Sequence, residues 1–404
     1  MGTATIRREL DLVLLGATGF TGGLVAHELA GRLRGTRLRW GIAGRNATRL
    51  DDLADTLAQV HGVPPTVVPV DVADPASLAA LASRTRVVAT TVGPYAQLGV
   101  PVARACAEHG THYADITGEE GFVRTLERDV DPIARARGAT LVVCCGFDAV
   151  PHDLGVQFAV SHLPDDADVV MRGYVRARGK MSGGTALTAL DALSGAAVVP
   201  ERVTLDLNDP RPVSRLKLGL HRHERLGGWA IPMPTVDPSI VLRSATRLPG
   251  YGRLFVYGHY AHVRRTTTLV AGGFALGGAA LAARTPPGRA ALQHLLPAPG
   301  EGPDAAARAA GHFTVLLFGT AHGATEDDDV KVVARVRGGD PGYGETSRML
   351  AEAALTLAGE ERPDVTGVVT PAVGLGVPYR RRLEASGMSF EIVERIAGAG
   401  PSSE

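Results

Sequence analysis

A glycine-rich turn near the start of the chain carries the strongest chemical signal in the sequence. Its residues are Gly16, Ala17, Thr18, Gly19, Phe20, Thr21 and Gly22. Glycines at these spacings permit a tight turn and a close approach of the backbone to a pyrophosphate, and a helix that starts here offers its N–H groups to the phosphates. The turn therefore predicts a dinucleotide-binding site.

The residues after the second apolar run indicate which dinucleotide is bound. Gly44, Arg45 and Asn46 stand where an NAD-preferring site has an acid for the ribose hydroxyls. An arginine can instead pair with a 2′-phosphate, and Asn46 can add a hydrogen-bond donor. The expected cofactor is therefore NADPH. Asp71, after the third predicted strand, either approaches the adenine or caps the next helix.

A glycine-proline turn closes the fourth predicted strand, on the side where the nicotinamide ribose should lie. Val92, Gly93 and Pro94 form this turn, and Tyr95 follows it. Because Gly93 has no side chain, the backbone can come close to the cofactor there. We expect the turn to bind the cofactor and Tyr95 to line the pocket.

Two polar loops are expected to leave the same edge of the sheet. They cover 112–119 and 146–153 and gather ionisable side chains at strand ends, where α/β enzymes assemble their sites. Reduction of an activated double bond needs a group that donates a proton or a hydrogen bond to the enolate. Tyr113, His152 and Tyr95 can donate, and they are the candidate catalytic residues.

Strand-like and helix-like segments alternate in the part of the chain that carries these motifs. The predicted strands are 11–15, 38–43, 66–70, 86–92, 111–115 and 140–145, and the predicted helices are 24–33, 48–60, 75–82, 100–109 and 123–137. Such alternation predicts a doubly wound parallel sheet with helices on both faces, and a ligand crevice at the carboxyl ends of the strands.

The pattern predicts three parts of the chain. Residues 1–150 form an NADP-binding Rossmann-type α/β domain. Residues 151–340, with longer β-prone stretches and proline-rich turns, form a second, α+β substrate domain. Residues 341–404 form a C-terminal helix and tail that return to the first domain, beginning with an amphipathic helix over 345–358.

An apolar segment in the predicted substrate domain has two interpretations. Residues 269–283 are rich in glycine and alanine and are flanked by Arg264, Arg265 and Arg284. The segment is short for a membrane span, which needs about 20 residues. A buried helix or hairpin is the favoured interpretation, and peripheral contact with a membrane or lipid surface is the alternative.

Composition narrows the class of protein. The chain has 404 residues, which suggests two domains, and its 42 Lys and Arg balance 42 Asp and Glu, so no basic surface for nucleic acid is expected. Cys106, Cys144 and Cys145 lack the Cys-x-x-Cys spacing of a metal site. His221 and His223 have no third ligand nearby in the sequence, so no metal is expected. The start of the chain leaves no room for a signal-peptide core, which favours a cytoplasmic location, with membrane association left open. A homodimer is also left open.

The motifs together resemble a known family, the saccharopine dehydrogenase-like oxidoreductases, and within it the actinobacterial trans-acting enoyl reductases. The shared motifs are GATGFTG (16–22), AGRN (43–46), VGPY (92–95), YADITGE (113–119), GFDAVPHDLG (146–155), GGT (183–185) and VVTPAVGLG (368–376). The resemblance implies an NADP-binding fold with an inserted substrate domain and a returning C-terminal segment. Lipid-related members reduce polyketide or fatty-acyl chains held by a synthase, and true saccharopine reductases use an amino acid. The resemblance transfers no catalytic residue.

The favoured function is reduction by NADPH of a 2-enoyl thioester, carried by CoA or by a carrier protein. The alternatives are a saccharopine reductase-like imine or amino-acid dehydrogenase, and a non-catalytic nucleotide-binding protein of lipid surfaces. Chemistry through a tyrosine with a lysine four residues later is excluded, because no tyrosine of the chain has that partner. Asp148, when ionised, cannot donate a proton.

Overall fold

The structure is a computed structural model that describes residues 8–179, 211–233, 235–294 and 302–397. The chain divides into two compact units. The first contains 8–146 and 343–383, and the second contains the other described residues. The GGT motif at 183–185 lies outside the described residues.

The first unit is built on a seven-stranded sheet. Its strands are β1 (Leu10–Leu15), β2 (Trp40–Gly44), β3 (Thr66–Pro69), β4 (Thr85–Thr90), β5 (His112–Asp115), β6 (Thr140–Val142) and the last strand (Gly367–Val369). The spatial order is β3-β2-β1-β4-β5-β6 followed by Gly367–Val369, and every pair is parallel. All six residues of β1 are buried, as expected of a central parallel strand. The doubly wound sheet predicted from the sequence is confirmed.

The helices of the first unit connect these strands. They are α1 (Phe20–Leu33), α2 (Ala47–His61), α3 (Pro75–Arg84), α4 (Tyr95–Glu108), α5 (Glu120–Asp129) and α6 (Asp131–Arg137). The single helix predicted over 123–137 is therefore two helices, because Pro132 cannot continue a helix that arrives from Val130 but suits the first turn of a new one.

The second unit contains a mixed sheet with two helices that carry functional groups. Its elements in chain order are α7 (Val150–Val160), β7 (Asp168–Arg178), β8 (Val213–Arg215), β9 (His221–Arg222), β10 (Trp229–Pro232), α8 (Asp237–Arg247), β11 (Leu254–Val263), α9 (Thr266–Ala283), α10 (Pro286–His294), α11 (Ala305–Ala309), β12 (His312–His322), a short 3-10 helix (Glu326–Asp328) and β13 (Val330–Gly338). Helices α7 and α8 pack against each other and against this sheet, α7 on β12 and β13 and α8 on β11.

The C-terminal part of the chain returns to the first unit and then leaves it. Its elements are α12 (Gly344–Ala358), β14 (Gly367–Val369), α13 (Pro371–Gly374), α14 (Gly376–Ala385) and β15 (Ser389–Ile396). Helix α12 packs against α1 and β4, as the amphipathic pattern predicts. Strand β15 differs from the prediction that all of 341–404 packs on the first domain, because it pairs with β13 at the edge of the second sheet.

The apolar segment 269–283 is helical, within α9, and its described side chains are not buried. Val270 is 50% exposed and Leu281 is 70% exposed. The favoured interpretation of a buried helix or hairpin is therefore wrong for this part of the segment; among the described elements, α9 contacts α10 and, less extensively, β11. Among the helices the structure describes, none combines the length and the apolar character needed to cross a membrane.

Candidate functional site

The predicted cofactor loops meet where the strand order of the first sheet reverses. Strands β1 and β4 are neighbours, and their carboxyl ends lead into the turns at Gly16 and Thr91. The Thr91 hydroxyl donates a hydrogen bond to the carbonyl of Gly16 over 3.2 Å. Ligands of open α/β sheets bind at such a reversal, outside the carboxyl ends of the strands. The architecture therefore supplies a crevice in which both loops take part.

Two glycines of the first loop are required by packing. Gly16 has a φ of +89°, in the left-handed region that favours glycine. A Cβ added at Gly22 would lie 2.1 Å from the carbonyl oxygen of Gly16. The start of α1 therefore lies too close to the turn for a side chain at Gly22, and both positions serve the fold itself.

Gly19 differs from its two neighbours in the motif. It is exposed, and a Cβ added there would lie 3.4 Å from the nearest atom, the Gly16 carbonyl oxygen, which is ordinary contact. Gly19 precedes the first turn of α1, and no side chain of the described residues caps that turn. The space beside Gly19 and the helix N-terminus together fit a pyrophosphate that accepts backbone hydrogen bonds.

The other residues of the glycine-rich turn make contacts that stabilise it. Ala17 is buried, and its N–H and that of Gly16 donate to the carbonyl of Ala43. The ring of Phe20 packs edge-on against Tyr343, with 4.9 Å between ring centroids. The side chain of Thr18 lines the pocket beside the end of β2, which is described next. Thr21 lies in the first turn of α1 and is half-buried.

A pocket beside the end of β2 collects two arginines. It has a volume of about 610 Å³ and is lined by Thr18, Arg45, Asn46, Ala47 and Arg49. Both guanidinium groups are on exposed residues, and within the described ranges no carboxylate pairs with either of them. Two cations without an acidic partner suit a phosphate dianion, which is the chemistry expected of a 2′-phosphate site.

Two polar residues predicted to bind the cofactor have contacts within their own loops. The Asn46 side chain accepts a hydrogen bond from the N–H of Arg49 over 3.0 Å and so caps α2, which leaves its amide group for a ligand. The Asp71 carboxylate accepts from the N–H of Ala73 over 3.0 Å. The cap of α3 is Asp74, so Asp71 does not have the helix-capping role that the sequence left open.

The glycine-proline turn at the end of β4 is held by an acid from the first polar loop, 112–119. The N–H groups of Tyr95 and Ala96 donate to the Glu119 carboxylate over 2.8 and 2.9 Å. Val92 is half-buried, whereas Gly93 and Pro94 are exposed at the start of α4. The turn thus presents backbone to solvent while its own helix end is already capped.

The hydroxyl of Tyr95 has partners inside the first unit. It donates to the carbonyl of Thr90 over 3.1 Å, and the N–H of Ile116 approaches it at 3.4 Å. Burial raises the pKa of Tyr95 well above its usual value. Because its proton already has an acceptor, these contacts favour a structural role for Tyr95.

Tyr113 is fully buried next to a carboxyl group. Asp115 accepts hydrogen bonds from the N–H groups of Thr117 and Cys144, over 3.0 and 2.9 Å. Burial raises the pKa of Asp115 to about 6, and the Tyr113 hydroxyl beside it opposes that rise. Burial also keeps the pKa of Tyr113 well above its usual value. The hydrogen bond to Asp115 therefore stabilises the left-handed backbone at Cys144, where φ is 61°. The strand predicted to run to residue 145 ends earlier, at Val142.

The third catalytic candidate, His152, belongs to a buried cluster in the second unit. It lies on α7, and its Nδ1 is 2.9 Å from Oδ1 of Asp237 in the first turn of α8. The other oxygen of Asp237 lies 3.6 Å from Nε2 of His259 on β11. The rings of the two histidines stack, with 4.8 Å between centroids. Elements that pack on one sheet thus bring a carboxylate between two imidazoles.

The charges within this cluster follow from burial. Burial would raise the pKa of Asp237, but His152 and His259 outweigh it and lower the pKa below its usual range. Burial lowers the pKa of His259 to about 3, so that imidazole is neutral at physiological pH. The start of α8 also favours negative charge at Asp237. At physiological pH the cluster therefore contains the ionised carboxylate of Asp237 and the uncharged imidazole of His259.

Asp148 differs from what the sequence suggested. Burial, with the charge of Asp237, raises the pKa of Asp148 to about 7, and His152 opposes the rise. At neutral pH a substantial fraction of this carboxyl group is protonated, so the argument that an ionised Asp148 cannot donate applies only above that range. Of the side chains the structure describes, no group of three or more His, Cys, Asp or Glu could hold a metal ion.

These features define a class of protein, a Rossmann-type dinucleotide-binding unit joined to a second unit with a mixed sheet. Residues 12–142 match the family model for the saccharopine dehydrogenase NADP-binding domain. The fold is similar to that of apo saccharopine dehydrogenase (L-Glu forming) from Saccharomyces cerevisiae, with a TM-score of 0.53 and 12% identity, covering 96% of this chain and 99% of that one. A likeness at this identity shows the fold alone.

Curated relatives identify the family more closely. A Mycobacterium tuberculosis protein provisionally named a trans-acting enoyl reductase is 36% identical, covering 95% of this chain and 97% of its own. The trans-acting enoyl reductase of Mycobacterium ulcerans is 31% identical, covering 95% of this chain and 98% of its own. The chain belongs to the saccharopine dehydrogenase-like family that includes these enoyl reductases, and the resemblance seen in its motifs is confirmed.

Sequence reasoning missed several residues of these sites. Arg49 follows Arg45 closely in sequence, with Arg45 just before the N-cap of α2 and Arg49 in its first turn, so the second cation could have been found from its proximity to the first. Asp237 precedes Pro238 and an apolar run, which is a common helix start, although the proline-rich composition of this part of the chain predicts turns. Nothing local connects Asp237 or His259 with His152, because the three are distant in sequence.

Proposed function

We propose that this protein reduces the 2-enoyl double bond of a polyketide or fatty-acyl thioester with NADPH. The observation that carries the proposal is the combination of the Arg45 and Arg49 pocket with relatedness to trans-acting enoyl reductases over nearly the whole chain. Gly16, Gly19 and Gly22 form the turn that would hold the pyrophosphate. The arginines would hold the 2′-phosphate, and Val92, Gly93 and Pro94 would border the nicotinamide ribose.

The reaction assigns separate tasks to the bound cofactor and to the protein. NADPH, when bound, supplies a hydride to the β carbon of the double bond. Negative charge then develops on the thioester oxygen and the α carbon, and one proton must reach the α carbon to complete the saturated product. His152 is the proposed donor, since one of its nitrogens faces Asp237 and the other has no described partner.

A substrate panel tests the proposal directly. NADPH oxidation is measured with 2-enoyl thioesters of CoA, 2-enoyl thioesters of a carrier protein and amino-acid-derived imines. The expected result is oxidation with the thioesters, coupled to formation of the saturated acyl product. Oxidation with the imines alone would overturn the proposal in favour of an amino-acid dehydrogenase, and NADPH binding without turnover of any substrate would favour a nucleotide-binding protein.

The exposed helix α9 is the part of the chain that we propose meets a lipid surface. Val270 and Leu281 are exposed apolar side chains, and Arg264, Arg265 and Arg284 stand at its two ends. Apolar contact flanked by cations suits an anionic bilayer. The protein should sediment with anionic vesicles and less with neutral ones, and Val270→Glu with Leu281→Glu should abolish the difference. Equal sedimentation of wild type and variant would refute the contact.

A further inference from the structure

A single carboxylate lies between two imidazoles in the buried cluster of the second unit, and the two imidazoles are not equivalent. His259 has a neighbour at each nitrogen: Nε2 lies 3.0 Å from the Thr235 hydroxyl and Nδ1 lies 3.4 Å from the Tyr257 hydroxyl. Both ring nitrogens of His152 are buried without a hydrogen bond of regular geometry to a described residue; Nδ1 lies 2.9 Å from the Asp237 carboxylate, whereas Nε2 has no such charged neighbour. His152 is therefore the member with an unused nitrogen.

A buried polar nitrogen without a partner is costly in a folded protein. Leaving such a group unsatisfied costs about 1 to 3 kcal/mol, so it is rarely retained without a reason. His152 is 2% exposed, and its ring is fixed on one side by Asp237 and on one face by His259. The ring is thus preorganised with one nitrogen reserved for a group that the protein does not supply.

We propose that Asp237 is the positioning residue for His152 and that Nε2 of His152 is the atom presented to the acyl thioester. This inference deepens the proposed function and rests on it. The Asp237 carboxylate can only accept, so it selects the form of His152 that carries a proton on Nδ1. Nε2 then takes up and delivers the exchangeable proton. His259 lies 3.6 Å from the second carboxylate oxygen and would act on the reaction only through its electrostatic effect on Asp237.

The placement of Asp237 supports this role. It lies in the first turn of α8, where the helix dipole favours an anion, and α8 packs beside α7, which carries His152. Both helices rest on the sheet that carries His259, so the three side chains are set by elements rather than by mobile loops. An imidazole oriented by a carboxylate is a recurrent arrangement for proton transfer, in which replacing the acid by its amide stabilises the wrong tautomer.

The decisive variant is Asp237→Asn in the full-length protein, which keeps the shape of the side chain but can donate toward Nδ1. The expected result is a fall in kcat of at least about 10-fold, with the dissociation constant for NADPH unchanged. Nitrogen-15 NMR of the imidazoles should show protonation at Nδ1 of His152 in the wild type and loss of that form in the variant. His152→Gln identifies the signals by their disappearance.

The matched control is Asp168→Asn, the same change on a half-buried residue of the same unit that pairs with Arg253 at 3.5 Å. It should leave kcat and the His152 signals unchanged. Wild-type kcat in Asp237→Asn, or a wild-type His152 protonated at Nε2 alone, would overturn the proposal. The NMR measurement of the His152 tautomer needs only the wild type and His152→Gln, so it tests the proposal even if Asp237→Asn does not fold. Failure of the wild type to reduce any enoyl thioester would refute the proposed function instead. The NMR spectrum would still show whether Asp237 selects the Nδ1-protonated form of His152.

Discussion

Glu119 holds Tyr95 by the backbone: its carboxylate accepts hydrogen bonds from the N–H groups of Tyr95 and Ala96, over 2.8 and 2.9 Å. Pro94, which precedes the helix, has no side chain able to cap it. The first polar loop, 112–119, therefore supplies the missing cap of α4 and fixes the turn that borders the proposed nicotinamide site. An acid of the polar loop 112–119 thus has a structural contact that positions the proposed site.

Removing this cap should destabilise the first unit. We expect Glu119→Ala to lower the free energy of unfolding by about 1 kcal/mol, because two N–H groups of α4 lose their acceptor. Urea denaturation of the wild type and the variant measures the difference. Glu119→Gln keeps one acceptor oxygen and should lose less. Equal unfolding midpoints for wild type and Glu119→Ala would show that solvent caps the helix equally well.

The two arginines of the first unit should determine cofactor choice. A charged hydrogen bond is worth about 1.5 to 3 kcal/mol, so Arg45→Ala should weaken NADPH binding by about 10- to 150-fold and leave NADH binding unchanged. Arg49→Ala should act in the same direction. Fluorescence titration with each nucleotide measures the dissociation constants.

Arg37→Ala provides the control for charge alone, since Arg37 is exposed and does not line the pocket. It should bind NADPH and NADH as the wild type does. If Arg45→Ala weakened both nucleotides equally, Arg45 would not contact the 2′-phosphate.

Two glycines of the same motif should respond differently to substitution. Gly19 has room for a side chain in the folded protein, whereas a Cβ at Gly22 would lie 2.1 Å from the Gly16 carbonyl oxygen. Gly19→Val should therefore keep the Tm of the wild type and lose NADPH binding, because the added bulk occupies the pyrophosphate space. Gly22→Ala should lower the Tm itself. Thermal denaturation and NADPH titration distinguish these effects, and normal binding by Gly19→Val would place the pyrophosphate elsewhere.

The buried Asp115 should make stability depend on pH. Its pKa is about 6 in the folded protein, and the usual value for an unfolded chain is about 3.9. The folded state therefore holds the proton more tightly, and this residue's contribution to stability falls as pH rises from about 4 to about 6, by about 3 kcal/mol in total. Asp115→Asn keeps the acceptor oxygen and does not titrate. The difference in unfolding free energy between variant and wild type should therefore grow in favour of the variant across this range, and a constant difference would contradict the raised pKa.

Local sequence signals were sufficient for the first unit. The glycine turn, the strand and helix alternation and the arginine after β2 are each encoded within a few residues, so the parallel sheet and the cofactor class followed from spacing alone. The break between α5 and α6 was missed although Pro132 marks it. Cys144 could not be anticipated, because its positive φ is held by Asp115, a residue from the preceding strand.

The second unit shows where sequence reasoning stops. His152 was identified as a donor from its loop, but its partners come from α8 and β11, and no periodicity connects them. The exposure of Leu281 on α9 depends on which elements pack nearby, so composition alone favoured burial. Long-range packing therefore decides both the charge around His152 and the surface available to a lipid.

The last prediction compares the two residues considered as proton donors. Nε2 of His152 and the hydroxyl of Tyr113 are both buried without a hydrogen-bond partner among the described residues, but the Tyr113 hydroxyl lies beside the Asp115 carboxyl group in the first unit. Loss of a general acid usually costs about 10² to 10⁴ in rate, so His152→Gln should lower kcat by that factor with NADPH affinity unchanged. Tyr113→Phe should retain turnover, since its hydroxyl serves the packing around Asp115. Stopped-flow oxidation of NADPH with an accepted enoyl thioester measures both variants. If Tyr113→Phe lost turnover and His152→Gln kept it, the proton would come from the first unit, and the role proposed for the His152 cluster would be wrong.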